Sequence, residues 1–540
     1  MPTRPHVAPD PAPADPPDDA GKRREPVPAT TKTTRRAAGA TAGGLVTRLA
    51  RTSGRLTALA ASLGLAVSAA LPGAGLGSVV QAAVLHPSVS DFAFIKGGTT
   101  PPTPADCAAV GRRCFGPDQI RSSYNIWPLY AQGYDGRGIT IAIVDSYGSD
   151  TIAHDLHVFD QAFGVQPMCG EEAVSCAAGM PTFRVMSFQG SPATTAPPST
   201  SNGTGLEDKA GWALEVSLDV EMAHATAPMA NILLVTTPTA ETLGVQGFPL
   251  MMNAEQAVVD QGLAQVISQS FASAEDAFGS AQSLLNLRHA YVSAAQNGVT
   301  VLGSSGDSGT ANTLKTPVKN PTTIPYPTVE WPASDPLVTG VGGTYLCTDA
   351  ATGTTIDSTS PGGKCPRFPG AREVAWTFSG GGFSHVFSRP AYQDVLPAGS
   401  TPIGAMRGVP DVAYQASAGT GALVYVSLPP DGLGSNVGNT GWYDIGGTSL
   451  SCPQWAGLVA IADQINGGGL GLINPGLYRI GANPARYAAD FYDVATGNTN
   501  QTDPSIPGYA ATVGWDPVTG LGTPNAARLV PDLVAAVHGQ

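Results

Sequence analysis

Four short apolar runs rich in β-branched residues recur through the middle of the chain, and each has the pattern of a buried parallel strand. They cover residues 138–145, 230–235, 264–270 and 298–302. Segments with helix-like patterning lie at 205–225, 242–261 and 281–296. Because strands that alternate with helices pair in parallel, the pattern predicts an α/β fold with a mostly parallel sheet and helices on both faces. Short strands follow from residue 320 to 444, and helix returns at 452–462.

The composition is that of a folded acidic protein with many turns. The chain has 540 residues, of which 42% are hydrophobic and 13% charged, enough for one large domain or two to three ordinary ones. The first 100 residues hold 11 basic and 6 acidic side chains, whereas the other 440 hold 17 basic and 35 acidic ones. This acidic balance argues against nucleic-acid binding and is compatible with an acidic medium.

Six of the seven cysteines form three close pairs along the sequence, which predicts three local disulfides. The pairs are Cys107 with Cys114, Cys169 with Cys176, and Cys347 with Cys365. Cys452 is left over and is interpreted as a buried packing thiol. No Cys-x-x-Cys pair or Cys/His cluster suggests zinc.

The N-terminal region has the pattern of an export signal. Residues 1–55 are rich in Pro, Ala, Thr and basic residues and are expected to be disordered, while 56–83 carry no charge and form an apolar segment. This order is typical of a secretory signal, with a retained membrane anchor as the alternative; Pro72 and nearby glycines favour the signal. We therefore expect a secreted, extracellular protein, or else one anchored in the membrane and facing outside. Residues 84–115 are predicted to be a short linker or remnant pro-segment before a folded domain at 116–540.

A glycine-rich stretch, Gly446-Gly447-Thr448-Ser449, precedes the last predicted helix, which Pro453 is expected to open. A serine at a helix N-terminus lies where backbone N–H groups favour developing negative charge, so Ser449 is a candidate nucleophile. The alternative is a helix cap.

Two acidic residues share one face of the predicted helix 205–225, since Glu215 and Asp219 are four residues apart. Apolar residues surround them, so burial would make them share a proton and allow one to act as a base. A water-facing acidic stripe is the alternative. Asp307 follows the fourth predicted strand, at an edge where ligands bind in doubly wound sheets, and a protonated carboxyl there could donate a hydrogen bond to an oxyanion.

A histidine base is poorly supported by the sequence. His154, His157 and His224 lie in or near predicted helices, and none of the eight histidines has a catalytic context. A Ser-Glu-Asp arrangement fits the chain better than Ser-His-Asp.

These segments together resemble the sedolisins, the serine-carboxyl peptidases that share the subtilisin fold. The matching motifs are Glu215-x-x-x-Asp219, Ser305-Gly306-Asp307-Ser308-Gly309 and Gly447-Thr448-Ser449-x-x-x-Pro453. The segments 331–334 and 407–412 match as well, and the resemblance covers roughly residues 115–537. It implies a subtilisin-like fold with a single large catalytic domain.

The resemblance also implies a role for each residue. Ser449 would attack the peptide carbonyl, Glu215 would be the general base, Asp219 would tune Glu215, and Asp307 would be the protonated oxyanion donor. We therefore expect a peptidase active at acidic pH, either an endopeptidase or one resembling a tripeptidyl-peptidase. Protein or peptide substrates are the expected partners of a monomer that binds no nucleic acid and meets a membrane only through an uncleaved N-terminal segment.

The family's calcium site matches positions near the C-terminus, so one structural calcium ion is expected. The matching residues are Asp493, Val494, Thr512, Gly514 and Asp516. Two carboxylates with backbone carbonyls suit a hard cation. Two departures from the family pattern stand out: Ser270-Phe271-Ala272 replaces the usual Ser-Trp-Gly, and 84–115 is too short for a large folded propeptide.

Two rival hypotheses remain open at this point. One is a subtilisin-type Ser-His-Asp peptidase that uses His154 or His157, with Asp145 at the end of the first strand. The other is a non-catalytic secreted binding protein with the same fold.

Overall fold

The four apolar runs form strands of one sheet in the computed structural model, which describes residues 86–87, 91–189, 206–239, 247–314, 322–359, 364–429 and 439–539. The segments 1–55 and 56–83, predicted to be disordered and a signal, lie outside the described residues. All the elements below belong to one compact unit, Gly77–Gln540. Within the described residues no helix is both long and apolar enough to span a bilayer.

The strands are short, as expected for a chain with this much glycine and proline. They are β1 His86–Pro87, β2 Asp91–Gly97, β3 Thr140–Ser146, β4 Phe183–Ser187, β5 Asn231–Thr237, β6 Val266–Gln269, β7 Phe271–Ala274, β8 Thr300–Ser304, β9 Glu330–Trp331, β10 Thr339–Leu346, β11 Glu373–Ala375, β12 Gly382–Ser388, β13 Met406–Val409, β14 Val412–Gln415, β15 Ala422–Ser427, β16 Thr440–Gly446, β17 Phe491–Tyr492 and β18 Thr523–Pro524.

The helices vary more in length. They are α1 Pro104–Ala109, α2 Pro117–Ser123, α3 Trp127–Tyr130, α4 Ile152–Phe163, α5 Leu206–Thr226, α6 Gly247–Asp260, α7 Ala281–Leu285, α8 His289–Gln296, α9 Thr448–Asn466, α10 Asn474–Gly481, α11 Pro484–Asp490 and α12 Ala526–Val537.

The central sheet has the strand order β11-β10-β8-β6-β3-β5-β4, with β14 also paired to β10. Its pairings are parallel except that of β10 with β11. Alternate residues of β3 face opposite sides: Ile141 and Ile143 belong to the core that includes α5 and α9, whereas Ala142 and Val144 belong to the core that includes α6 and α8. The predicted α/β fold with helices on both faces is confirmed.

Several local predictions differ from the structure. Along the chain, a further sheet strand, β4, comes between the first two predicted strands. The helix predicted at 281–296 is two helices, separated by residues 286–288. The segment 84–115, predicted to be a short linker or remnant pro-segment, contains β2, which pairs antiparallel with β16, and α1. The sequence gives little local signal for β2, because its pairing partner lies more than three hundred residues away in the chain.

The three disulfides predicted from spacing are present, and Cys452 is a free, buried cysteine, as predicted. The segment 407–412 contributes a buried ion pair, in which the Arg407 guanidinium bonds both Asp411 carboxylate oxygens at 2.7 and 3.0 Å. Arg407 also donates to the carbonyls of Ala333 and Val338, so this pair fixes the loop beside β10.

Candidate active site

Three candidate polar groups meet at the carboxyl edge of the sheet, because neighbouring parallel strands end there in register. Val144 of β3 pairs with Gln269 of β6, which pairs with Gly303 of β8. Asp145 near the end of β3, Ser270 directly after β6 and the loop that contains Asp307 after β8 therefore lie at three adjacent strand ends. This is the edge at which α/β folds bind ligands.

Helix α5 brings two more carboxyls to this edge. It packs against α9, α4, β15 and β3, which buries both the apolar and the polar side chains of its second half. Glu215 and Asp219 are each 0% exposed, which excludes the alternative of an acidic stripe facing water. The Ser270 hydroxyl donates a hydrogen bond of 3.0 Å to Asp219 Oδ1.

Burial dominates the electrostatics of this cluster. It raises the pKa of Glu215 well above its usual value, an effect that the Ser449 hydroxyl opposes and the Asp145 carboxyl reinforces. Burial likewise raises the pKa of Asp219, with further contributions from Asp145 and Glu215. It raises the pKa of Asp145 to about 8. Three carboxyls buried side by side cannot all be charged, so the cluster holds protons far above the pH at which free carboxyls lose them.

The nucleophile loop is held by glycine geometry. Gly447 caps α9 with φ of +132°, a conformation that favours glycine, and its N–H donates to the Ala416 carbonyl. Helix α9 starts at Thr448, so the predicted start at Pro453 is wrong and Pro453 lies inside the helix. Ser449 thus lies in the first helical turn, where N–H groups lack intrahelical partners. Its hydroxyl faces Glu215 closely enough to lower that pKa, although neither group completes a hydrogen bond of ordinary geometry within the described residues.

Asp307 is tied to the nucleophile loop. Its Oδ1 accepts hydrogen bonds from the Thr448 N–H at 2.8 Å and the Thr448 hydroxyl at 2.9 Å. The Gly306 N–H donates in turn to the Thr448 hydroxyl oxygen at 3.1 Å. These contacts hold the Asp307 carboxyl against Thr448, the residue that precedes Ser449 in the chain. The four candidate catalytic residues thus lie together around the start of α9.

The histidines of the rival hypothesis are engaged elsewhere. His154 contacts Glu172, while His157 Nδ1 lies 3.1 Å from Glu171. His224 lies 3.1 Å from Asp160 and bonds the Gln166 carbonyl. Within the described residues, the titratable group reported to face the Ser449 hydroxyl is the Glu215 carboxyl.

Sequence reasoning overlooked what three residues do at this site. Ser270 supports Asp219, Thr448 holds Asp307, and Asp145 adds a third buried carboxyl. A usable signal was present, because Asp145 and Ser270 are the last residues of two predicted buried strands whose ends lie at one edge. The departure Ser270-Phe271-Ala272 leaves the serine in place, and the strand that follows, β7, pairs antiparallel with β1 of the N-terminal segment.

The residues of the predicted calcium site lie around one turn near the C-terminus. Asp493 accepts from the Gly514 N–H at 3.0 Å, and Asp516 accepts from the Thr512 N–H at 3.1 Å, so both carboxyls border the segment 512–516. Burial raises the pKa of Asp516 to about 7, because it disfavours the charged carboxylate. A bound cation would stabilise that charge. The described residues contain no cluster of three or more His, Cys, Asp or Glu suited to a metal. A set of two carboxylates and backbone carbonyls of Val494, Thr512 and Gly514 still fits the oxygen ligands that calcium prefers.

Comparison with known proteins gives relatives but no matching family model. Kumamolisin of Bacillus sp. (strain MN-32) is 31% identical over 416 residues, which is 75% of this chain and 62% of kumamolisin. Sedolisin of Pseudomonas sp. (strain 101) is 31% identical over 332 residues, which is 61% of this chain and 50% of sedolisin. Tripeptidyl-peptidase 1 of Rattus norvegicus is 28% identical, over 62% of this chain and 54% of that protein. The chain thus spans between half and two thirds of the length of these curated relatives.

A solved structure agrees with the sequence matches. Pseudomonas sedolisin, a serine-carboxyl proteinase complexed with two molecules of pseudo-iodotyrostatin, superposes with a TM-score of 0.57 at 26% identity. The match covers 78% of this chain and 97% of that one. With the fold, the motif order and these relatives in agreement, the chain belongs to the sedolisin family.

Proposed function

We propose that this protein is a serine-carboxyl peptidase that hydrolyses peptide bonds of protein or peptide substrates under acidic conditions. The observation that supports this most directly is that Glu215, Asp219, Asp307 and Ser449 lie together at the start of α9 with no histidine among them in the described residues. The names of the relatives, which include a sedolisin and a tripeptidyl-peptidase, support the same reaction class.

The proposed base is Glu215. Because three buried carboxyls cannot all ionise, the cluster is expected to carry a single negative charge. Glu215 is the carboxyl that faces the Ser449 hydroxyl, which favours its charged form, while the Ser270 hydroxyl is bonded to Asp219. With Asp145 and Asp219 protonated, Glu215 can carry the charge and accept the Ser449 proton.

The reaction then follows the logic of acyl transfer. Ser449 Oγ attacks the substrate carbonyl carbon while its proton moves to Glu215, and the oxygen of the tetrahedral intermediate becomes negative. The protonated Asp307 carboxyl donates a hydrogen bond to that oxygen, which acid conditions permit. Glu215 returns the proton to the leaving amine as the C–N bond breaks, and water reverses the sequence to release the acid and free Ser449.

Access to this site requires movement, since Ser449 and Glu215 are each 0% exposed. The chain's own β1 pairs with β7, directly after Ser270, so we propose that residues around β1 belong to a remnant pro-segment that leaves this edge. Strand β2 pairs with β16 along its length and is expected to stay. N-terminal sequencing of the active protein checks this: a start between Ser88 and Asp91 agrees, whereas active protein that retains β1 contradicts it.

The test of the reaction is hydrolysis of a denatured protein from strongly acidic to neutral pH by wild type, Ser449→Ala and Ser451→Ala. Ser451 is a matched control, because it lies two residues further along α9 and its hydroxyl donates to the Gln415 carbonyl. We expect acid-dependent cleavage that Ser449→Ala abolishes and Ser451→Ala retains. Absence of cleavage at every pH would favour the hypothesis of a non-catalytic binding protein. If His157→Ala loses the cleavage activity and Glu215→Gln retains it, a Ser-His-Asp peptidase is favoured. Comparing N-terminally blocked with free peptides separates endopeptidase from tripeptidyl-peptidase action.

We also propose that one structural calcium ion is held by Asp493, Asp516 and the carbonyls of Val494, Thr512 and Gly514. The ion would join the loop after β17 to the turn that precedes β18. Calcium is expected to raise the melting temperature of wild type but not of Asp516→Asn in thermal unfolding. An equal rise in the melting temperature of both proteins would contradict a calcium site at Asp516.

Secretion, directed by residues 56–83, and a monomeric state complete the proposal. The three disulfides support an oxidising compartment. Recovery of the protein from the culture medium and its mass in solution test these two points.

A further inference from the structure

A cavity of about 560 Å³ lies between two segments that meet beside β11. Its walls are residues 367–373, which lead into β11, and residues 492–496, at the end of β17. The Ala375 N–H donates to the Thr496 carbonyl at 3.0 Å, so the two walls are fixed relative to each other. We call the cavity the arginine pocket, because two arginines line it. None of the four proposed catalytic residues does.

The first of these arginines, Arg372, has buried donors without acceptors. Its guanidinium carbon lies 4.0 Å from the centre of the Tyr492 ring and stacks over that ring. The Nε and Nη2 atoms are buried, and neither has a hydrogen-bond partner among the described residues. A guanidinium is always charged, and a buried charged donor without an acceptor costs free energy that folded proteins normally avoid. A bound anion would supply the missing acceptors.

The second arginine, Arg367, is exposed and adds a further positive charge to the pocket. The segment 364–372 holds three basic residues, Lys364, Arg367 and Arg372, and no acidic one. This is a local exception, because the 440 residues after position 100 hold 17 basic and 35 acidic side chains. Burial and the nearby charge of Arg367 lower the pKa of Lys364, so these like charges lie close together. Such a concentration of positive charge attracts anions.

Two acidic residues also line the pocket, and both are engaged by other donors. Glu373 is buried and accepts hydrogen bonds from the Tyr124 hydroxyl at 2.6 Å and the Thr344 hydroxyl at 2.8 Å. Asp493 accepts from the Gly514 N–H at 3.0 Å. Neither carboxylate is hydrogen-bonded to the two buried guanidinium nitrogens. The acceptors that these nitrogens need are therefore not supplied by the acidic residues of the pocket.

We propose that the arginine pocket binds an oxyanion of the phosphate or sulfate type, held by Arg372 and Arg367. The planar fork of a guanidinium matches the oxygens of such an anion, and charge-assisted hydrogen bonds of this kind are strong. These anions keep their charge in an acidic medium, where most carboxylates are protonated. The cavity is larger than one such ion, so it can also admit the organic group of an ester beside Phe368. This inference does not depend on the proposed peptidase function.

The test is isothermal titration calorimetry of the full-length protein with inorganic phosphate and with phenyl phosphate, at mildly acidic pH and at an ionic strength kept constant with chloride. All proteins carry Ser449→Ala, so that self-digestion cannot interfere. This parent is compared with its Arg372→Gln, Arg367→Gln and Arg184→Gln variants. Arg184 is a matched control, because it is an exposed arginine of β4 that does not line the pocket.

We expect saturable binding to the parent that Arg372→Gln weakens by about 10-fold or more and Arg367→Gln by about 3-fold or more, because each change removes charge-assisted hydrogen bonds. Arg184→Gln should bind as the parent does. Absence of saturable binding to the parent, or unchanged affinity in Arg372→Gln, would overturn the inference. If Arg372→Gln fails to fold, Arg372→Lys takes its place: it keeps the charge but loses the fork, and affinity equal to that of the parent would refute the site.

The two probes distinguish the source of the anion. Tighter binding of phenyl phosphate than of inorganic phosphate, with both weakened by Arg372→Gln, supports an ester as the ligand, and equal affinity supports the free ion. Binding of phenyl phosphate that Arg372→Gln leaves unchanged would contradict the site, since the ring alone would then account for it. Because binding is measured without turnover, the result stands apart from that of the peptidase assay.

Discussion

Replacing Asp145 with asparagine tests whether buried carboxyls make this fold depend on acid. Burial raises the pKa of Asp145 to about 8, against a usual value of 3.8. Since the folded pKa lies above the unfolded one, the stability linked to this group is fully present below the unfolded pKa and is lost as pH rises toward about 8. Within that window each pH unit costs about 1.36 kcal/mol.

Between about pH 4 and about pH 6, this linkage takes about 2 kcal/mol of stability from the wild type through Asp145 alone. Asparagine cannot ionise, so the Asp145→Asn variant should lose that much less over the same range. Glu215 and Asp219 stay in place and keep part of the pH dependence, because burial also raises their pKa values.

The measurement is urea unfolding at both pH values, made in a Ser449→Ala background so that the protein cannot digest itself. Asp150→Asn is the matched control, because it makes the same change at a side chain that is 77% exposed. Equal pH dependence in Asp145→Asn and in its parent would refute the reasoning, since it would mean that Asp145 ionises in the folded state as it does in the unfolded one.

Three further predictions concern single contacts. Asp307→Ala should lower kcat by about 10²–10³, whereas Asp307→Asn should keep part of the rate and extend it toward neutral pH, because an amide donates at any pH; equal losses in both variants would contradict the donor role. Ser270→Ala removes the 3.0 Å bond to Asp219 and should lower kcat about 10-fold with little change in KM, so a change in KM alone would speak against it. Replacing Cys347 and Cys365 by serine opens a loop with a sequence separation of 18 and should lower the free energy of unfolding by about 3 kcal/mol in urea titration.

The motifs and the fold class could be predicted because their signals are local. Each β-branched run identifies a buried strand, and the i, i+4 spacing of Glu215 and Asp219 places both on one helix face whatever the rest of the chain does. The cysteine pairs were predictable for the same reason, since short spacing keeps each pair close together. The order of three motifs along the chain then indicated the family.

The tertiary structure alone decided which groups share an environment. Nothing near Asp145 in the sequence shows that it is buried beside Glu215 and Asp219, because that follows from the register of β3 and β6 and the docking of α5. The hydrogen bonds between Asp307 and Thr448 join residues 141 positions apart. The pairing of β2 with β16 also depends on distant segments. The sequence by itself thus determined the elements and the candidate chemistry, whereas burial, protonation and the grouping of the site residues follow from long-range packing that no local pattern records.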